Sequence, residues 1–222
     1  MSKILTTSQI KSYWNSFSHT YEKSLLNTTK QINTLMLPHL KISPEQTICD
    51  CGCGTGSGAE ILLHYYPNLK KILANDISES MIIKAKEKKL KNTELHLASG
   101  ENLPYDSNSC DRYISNLTLH FVESPEKMIK EAYRVLKSPG IAVLSVPGNP
   151  DHLNLLKVIG RSLKNVGLEQ DQQRNPFHLS EKAKLNELAK DAGFDKVRSF
   201  FTSVPFLSDT VEDIVEIAAK RN

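Results

Sequence analysis

A glycine-rich loop between a predicted strand and a predicted helix constrains the fold more than any other feature of this sequence. The glycine-rich stretch runs from Gly52 to Gly58, after the apolar strand pattern at residues 47–50 and before a helical pattern that ends ahead of Pro67. Glycines in such a place let a ligand approach the backbone and the helix N-terminus. The loop therefore predicts an α/β domain with a nucleotide-type ligand.

Apolar runs and helix-like segments alternate along most of the chain, which is the order that produces a mainly parallel sheet covered by helices. Further strands are predicted at residues 71–74, 94–97, 112–116, 141–146 and 197–204. Ser78 and Ser180 are predicted to cap two helices, and residues 128–136 and 209–220 read as two more. At 222 residues, we expect one domain, a Rossmann-like three-layer sandwich of about six to seven strands with helices on both faces.

Two segments stand outside this alternation. Residues 8–35 form an amphipathic N-terminal region, and residues 148–178 form an insertion after the fifth strand. Both could cover the carboxyl edge of the sheet, where open α/β folds bind ligands. We expect a helical lid at 8–35 and a candidate substrate lid at 148–178, although packing alone would also explain the apolar stripe of the insertion, Leu153, Leu156, Ile159 and Leu163.

Composition narrows the class of protein. The chain is 39% hydrophobic and 24% charged, and no stretch approaches the roughly 18 apolar residues of a membrane span. The N-terminal sequence has too short an apolar run for a secretory signal, and no arginine precedes Arg112 to suggest a transit peptide. The spacing of the four cysteines resembles neither a secreted disulfide framework nor a zinc site. We expect a cytoplasmic protein with reduced thiols and no metal.

The charge balance gives little support for a nucleic-acid partner. The net charge is +3, from 28 basic and 25 acidic residues, which is too weak a field to imply one. The lysines at residues 84–91 have no aromatic side chains between them, so they read as a solvated helix face rather than as an RNA site.

Three details of the loop region define the ligand. The glycine repeat is G-x-G-x-G, and Ser57 stands where a dinucleotide fingerprint has its third glycine, which disfavours NAD. Asp50, two residues before Gly52, would repel a pyrophosphate but could hold an ammonium group. Asp76 ends the second strand, where a carboxylate can accept hydrogen bonds from ribose hydroxyls. We expect a ligand with a ribose and a positive charge.

Read in order, the motifs resemble the class I S-adenosylmethionine-dependent methyltransferases. The resemblance is to the broad small-molecule branch, of the methyltransferase type 11 kind, that includes quinone, sterol and arsenite methyltransferases. Its carriers are residues 50–56, 75–78 with Met81, 99–104, 111–116 with Leu119 and His120, and 134–140. It covers about residues 10–200.

The resemblance implies S-adenosylmethionine as the cofactor and assigns parts of it to residues. The glycine loop and Asn116 would face the methionine end, Asp76 the ribose, and Gly100 and Glu101 the adenine, while Tyr21 would close over the cofactor. The family often has an acidic residue where Ser99 stands, and Ser99 would hold the adenine amino group less strongly. The implied cofactor-binding residues are Tyr21, Asp50, Cys51, Gly52, Gly54, Gly56, Asp76, Ile77, Met81, Ser99, Gly100, Glu101 and Asn116.

The activity expected is direct in-line transfer of a methyl group to a small-molecule acceptor. A hydroxyl or protonated amine acceptor would also require a base, which the sequence does not identify; the candidates are His120, Tyr21, His178 and His19. Two alternatives stay open. One is a non-catalytic binding or assembly subunit with this fold, suggested by the short segment after residue 209. The other is an RNA or protein methyltransferase, which residues 116–119 disfavour because they lack an N-P-P-Y-like signature.

Overall fold

The computed structural model describes residues 5–152 and 175–206, together with residues 161, 165 and 210. Within them, five parallel strands form one sheet in the order β3-β2-β1-β4-β5. The strands are β1 (Thr47–Cys51), β2 (Lys71–Asp76), β3 (Thr93–Leu97), β4 (Cys110–Asn116) and β5 (Leu136–Ser145). The strand order changes direction between β1 and β4, and this is where open α/β sheets bind ligands.

Six helices and one short 3₁₀ turn accompany the sheet in the described residues. They are α1 (Thr7–Ser24), α2 (Leu26–Leu40), α3 (Ser57–Tyr65), α4 (Glu79–Glu87), α5 (Pro125–Val135) and α6 (Lys182–Asp191), with the turn at Pro150–His152. None of the described helices has the length and apolarity that a bilayer crossing needs. The prediction of a mainly parallel Rossmann-like sheet with helices is confirmed.

The core has two halves, one on each face of the sheet. Neighbouring residues of a strand point to opposite faces, so Ile48 belongs to the cluster that packs against α2, α3 and α4, whereas Cys49 belongs to the cluster that packs against α5 and α6. Every residue of β1 is buried, and β1 pairs with both β2 and β4. The strand that leads into the glycine loop is therefore the centre of the sheet.

Strand register brings the predicted ligand residues to one edge. Cys51 lies opposite Asn75, so the glycine loop and the end of β2 leave the sheet side by side. The Ser78 side chain accepts the Met81 N–H and caps α4 as predicted. Gly193, with φ of +110°, follows α6 as the predicted glycine after a helix.

Two predicted boundaries are wrong. Ser180 does not cap α6, because its N–H donates to the Phe177 carbonyl in the preceding turn; Glu181 is the cap residue, and its side chain makes no capping bond. The fifth strand begins at Leu136 rather than at residue 141, because the chain leaves α5 at Val135 and pairs at once with Cys110.

The strand predicted at residues 197–204 does not form. This segment makes no ladder with β5 in the described part of the chain, and Phe200 and Phe201 are 60% and 58% exposed. Its contacts come from side chains instead, such as the Phe200 ring 5.0 Å from the ring of His39. The β-favouring composition of this segment therefore does not produce a strand, and the described residues contain five strands, slightly fewer than the six to seven expected for the chain. The predicted helix at 209–220 and the apolar stripe of the insertion lie outside the described residues.

Candidate functional site

A cavity of about 440 Å³ opens at the carboxyl edge of the sheet. Its volume is in the range of about 300–1,000 Å³ that is usual for small-molecule sites. The glycine loop, the ends of β2 and β4, α1, α2 and the chain after β5 all contribute to its wall. The predicted cofactor residues that line it are Tyr21, Gly52, Gly54, Asp76, Ile77, Met81, Ser99, Gly100, Glu101 and Asn116.

Three predicted residues lie behind the wall rather than on it. The Asp50 carboxylate points to α3, where a Cβ on Gly58 would be only 2.8 Å from Oδ2. The Cys51 thiol packs against Gly100 in the same way, at 2.7 Å from the position of an added Cβ. Gly56, with φ of +82°, packs against Ala85 at the start of α3. That these three contact a cofactor stays a prediction.

The backbone of β2 fixes the shape of the glycine loop. The Gly52 and Cys53 N–H groups both donate to the Asn75 carbonyl, at 2.8 and 2.9 Å. Gly52 has φ of +73°, and a Cβ there would lie 2.1 Å from Thr118 Oγ1. Only a residue without a side chain satisfies both conditions.

Asp76 connects the loop to α4. Its Oδ2 accepts the Gly54 N–H at 2.9 Å, and its Oδ1 accepts the Ser78 N–H at 2.8 Å. Burial raises the pKa of Asp76 to about 6, although its backbone hydrogen bonds oppose the rise. A carboxylate offers about four acceptor positions, so Asp76 can also accept hydroxyl donors from a ligand.

The electrostatic character of the cavity is acidic. Asp76 and Glu101 are the charged carboxylates among the lining residues, and the described lining contains no lysine or arginine. Behind the wall, burial and the nearby Asp76 raise the pKa of Asp50 to about 7. Such a site suits a cationic ligand and opposes a pyrophosphate, as the sequence indicated.

Helix α1 roofs the cavity with aromatic side chains. The Tyr21 ring stands 3.8 Å from the position of a Cβ on Gly54, and its hydroxyl is 2.9 Å from Thr29 Oγ1. Trp14 meets Tyr21 and Phe121 edge to face, with centroids 6.2 and 4.9 Å apart. Burial raises the pKa of Tyr21 to about 12, so the phenol stays protonated at neutral pH.

Two other predicted ligand residues already have protein partners. The Asn116 amide donates to the Thr29 carbonyl at 2.9 Å and accepts from Ser145 Oγ at 2.7 Å, which joins the end of β4 to α2 and β5. The Glu101 carboxylate accepts the Ser124 N–H at 2.7 Å and so stabilises the start of α5. Both residues line the cavity, and both also hold its walls together.

The three histidines among the candidate bases differ in whether they line the cavity. His120 is 9% exposed and lines the cavity. His178 stands behind it, with Nε2 3.2 Å from the His120 carbonyl oxygen, and does not reach the cavity. His19 is exposed on α1 and does not line the cavity either.

A large part of the cavity lining is uncharged, and the sequence patterns did not identify this part, which we call the apolar end. It combines residues from five separate segments, none of which carries a motif. Its residues are Leu25, Thr28, Ile32, Leu117, Pro147, Pro176, Phe177, Thr202, Val204 and Phe206. Trp14 and Phe121 were also missed as wall residues, although Trp14 precedes Tyr21 by two helical turns and therefore shares its face.

The four cysteines are all free and buried. Burial raises the pKa of Cys51 to about 12 and that of Cys53 well above its usual range, so both are protonated thiols rather than metal-binding thiolates. In the described part of the chain, no three His, Cys, Asp or Glu side chains are grouped to hold a metal ion.

Residues 49–144 match a family described as the methyltransferase domain. The matched segment extends from within β1 to within β5 and contains the glycine loop, Asp76 and Asn116. The curated relatives match the chain over part of their length. Malonyl-[acyl-carrier protein] O-methyltransferase of Marinomonas sp. is 32% identical over 139 residues, which is 62% of this chain and 51% of that protein.

A second relative and a solved structure agree with this match. Demethylmenaquinone methyltransferase of Staphylococcus haemolyticus is 31% identical and covers 55% of this chain and 57% of its own. The chain thus spans about half the length of these two curated relatives. The solved structure is that of an S-adenosylmethionine-dependent methyltransferase from Thermotoga maritima, described as a possible histamine N-methyltransferase. It superposes on this chain with a TM-score of 0.59 at 25% sequence identity. The superposition covers 83% of this chain and 81% of that one.

Proposed function

We propose that this chain is a class I S-adenosylmethionine-dependent methyltransferase that transfers a methyl group to a small-molecule acceptor, since residues 49–144 match the methyltransferase domain family. The observation that carries the proposal is one cavity whose described lining combines two chemically different sets of residues. The glycine loop and Asp76 form the acidic end, and uncharged side chains form the other. A cationic cofactor and an apolar acceptor would thus meet in the same space.

The residues at the acidic end fit the cofactor. The loop exposes backbone at Gly52 and Gly54, and Asp76 has acceptor positions left for the two ribose hydroxyls. The described lining contains no lysine or arginine that would attract phosphate. When bound, S-adenosylmethionine supplies a methyl carbon that its sulfonium sulfur already activates. The protein therefore has to align donor and acceptor and to exclude water.

The residues of the cavity wall align donor and acceptor and exclude water. Tyr21 and Trp14 of α1 cover the loop, and the Asn116 amide holds α2 against the ends of β4 and β5. We propose that residues 8–35 act as the lid over the cofactor. Gly148 and Phe177, near the two ends of the insertion, also line the cavity, which supports a role for residues 148–178 beside the acceptor.

His120 is the proposed base when the acceptor carries a proton that must leave. It lines the cavity, whereas His178 and His19 do not, and Tyr21 keeps its proton because burial raises its pKa to about 12. In that case the His120 imidazole would accept the proton that the acceptor atom loses when this atom takes the methyl group and the bond from the methyl carbon to sulfur breaks.

An acceptor with an apolar body fits the uncharged end of the cavity, since an unpaired charge there would lose its hydration. The relative named for demethylmenaquinone supports this class, and the structure described as a possible histamine N-methyltransferase supports including an amine. A panel with methyl-labelled S-adenosylmethionine should contain a hydroquinone, a small aromatic amine, a short charged amine and bulk RNA.

We expect label in the hydroquinone or the aromatic amine and not in RNA. Transfer to RNA that weakens steeply with salt would instead support a nucleic-acid methyltransferase. Tight cofactor binding without transfer to any acceptor would support a binding subunit.

A further inference from the structure

A chain of hydrogen bonds joins the roof helix α1 to the carboxylate of the cofactor site. Asn15 Oδ1 on α1 accepts from Ser78 Oγ at 2.7 Å and from the Ser80 N–H at 3.2 Å. The Ser78 N–H in turn donates to Asp76 Oδ1 at 2.8 Å, and Asp76 Oδ2 accepts the Gly54 N–H at 2.9 Å. One side chain of α1 is thus three hydrogen bonds away from the glycine loop.

Asn15 supplies a hydrogen-bond acceptor for the N-terminus of α4. The first N–H groups of a helix have no partner within the helix, and the Ser78 hydroxyl accepts only the one from Met81. Asn15 accepts the Ser80 N–H and the Ser78 hydroxyl proton, so α1 completes the cap of α4. Ser78 is fully buried, and water cannot easily replace this partner.

We propose that Asn15 is a positioning residue for the cofactor site, which sets the orientation of the Asp76 carboxylate through Ser78. The inference rests on the proposed function for the identity of the ligand. Trp14 and Tyr21 are on the same helix as Asn15 and line the cavity. The hydrogen bonds of Asn15 therefore couple the position of α1 over the cavity to the orientation of the Asp76 carboxylate. Such coupling is reciprocal, so a ligand that binds to Asp76 also stabilises α1 in its position over the cavity.

A matched control is available in the same helix pair. Glu22 of α1 and Lys84 of α4 form an ion pair with Oε2 and Nζ 2.6 Å apart, and this pair is not part of the hydrogen-bond path from Asn15 to Gly54. Glu22→Gln removes a tether between α1 and α4 without breaking the path to Asp76. Asn15→Ala removes the path, and Asn15→Asp keeps an oxygen acceptor at the same place.

The first measurement is amide hydrogen exchange of the ligand-free protein. We expect Asn15→Ala to accelerate exchange of the Ser78 and Gly54 amides about fivefold or more, while Asn15→Asp and Glu22→Gln stay within about twofold of wild type. If the alanine variant does not fold, Asn15→Ser replaces it, because the serine side chain is too short for its oxygen to reach Ser78. Equal exchange in the Asn15→Ala and Glu22→Gln proteins would overturn the proposal.

The second measurement is calorimetric titration with S-adenosylhomocysteine. We expect affinity to fall about fivefold to tenfold in Asn15→Ala and to be kept within about twofold in Asn15→Asp and Glu22→Gln. Absence of binding to the wild type would contradict the proposed function, and the exchange data would still decide the role of Asn15. Binding to the wild type with unchanged affinity in Asn15→Ala would contradict the role of Asn15 alone.

Discussion

Asp76 and Gly54 are 22 residues apart, and a hydrogen bond of 2.9 Å joins the buried carboxylate of one to the backbone N–H of the other. The same carboxylate accepts the Ser78 N–H through its second oxygen. Asp76 therefore shapes the glycine loop before it meets a ligand. Its effect on binding should exceed that of a residue that only contacts the ribose.

Asp76→Ala should weaken S-adenosylhomocysteine binding by about 1.5–3 kcal/mol for each charge-assisted hydrogen bond lost. It should also lower the free energy of unfolding, because the Gly54 and Ser78 N–H groups lose their acceptor. Asp76→Asn keeps one acceptor oxygen and should have a smaller effect on both quantities. Calorimetry and urea unfolding on the three proteins measure them, and an Asp76→Ala protein that is folded and binds with wild-type affinity would contradict the assignment.

Gly52→Ala tests the shape of the loop. An added Cβ would lie 2.1 Å from Thr118 Oγ1, and φ is +73°, so we expect destabilisation of about 2 kcal/mol or more. Gly148→Ala is the matched control, because the nearest atom to its added Cβ, on Phe201, is 3.4 Å away. Thermal unfolding of both variants is the measurement, and equal melting temperatures would show that the loop has another conformation in solution.

The loop and its acidic partner could be predicted because the sequence carries the relevant geometry. A glycine run after a strand fixes the site at the carboxyl edge, and a parallel sheet brings the end of β2 to that edge, so Asp76 meets Gly54. The orientation of Asp50 follows from the alternation of side chains along a strand. Asp50 lies on the same strand face as Ile48, and this face packs on the α3 side. That Asp50 contacts the ligand stays a prediction.

Features that depend on distant packing could not be predicted. Glu101 caps a helix that begins at Pro125, and nothing in the local sequence pairs the two. The apolar end of the cavity gathers residues from segments without motifs, and residues 197–204 have strand-like composition but no pairing partner in the described residues. In each case tertiary contacts, rather than local propensity, decide the structure.

The two buried carboxylates predict how stability depends on pH. Burial raises the pKa of Asp50 from 3.8 to about 7, so the folded protein holds a proton that the unfolded chain releases. The stability from this proton is complete below about pH 4 and is lost as the pH rises through about 7. We expect the free energy of unfolding of the ligand-free protein to fall between pH 5 and pH 8.

Asp50→Asn should flatten this fall, by up to about 2.6 kcal/mol at pH 8 relative to pH 5. Glu87→Gln, at an exposed position of α4, is the control and should leave the slope unchanged. Urea unfolding at several pH values checks both. Parallel curves for wild type and Asp50→Asn would mean that Asp50 ionises normally in the folded protein.

Tyr21 should act through its ring more than through its hydroxyl. Tyr21→Phe keeps the ring over Gly54 and loses one hydrogen bond to Thr29, which is worth about 1 kcal/mol. Tyr21→Ala opens the roof, and we expect its cofactor affinity to fall tenfold or more, compared with about fivefold or less for Tyr21→Phe. Equal losses in the two variants would assign the effect to the hydroxyl.

The most direct test of the central claim is calorimetric titration of the protein with S-adenosylmethionine, S-adenosylhomocysteine and NAD. The acidic cavity, the G-x-G-x-G loop and the acceptor positions on Asp76 predict micromolar binding of the first two and none of NAD. Binding of NAD, or binding of none of the three, would contradict the account of this site as a methyltransferase cofactor site.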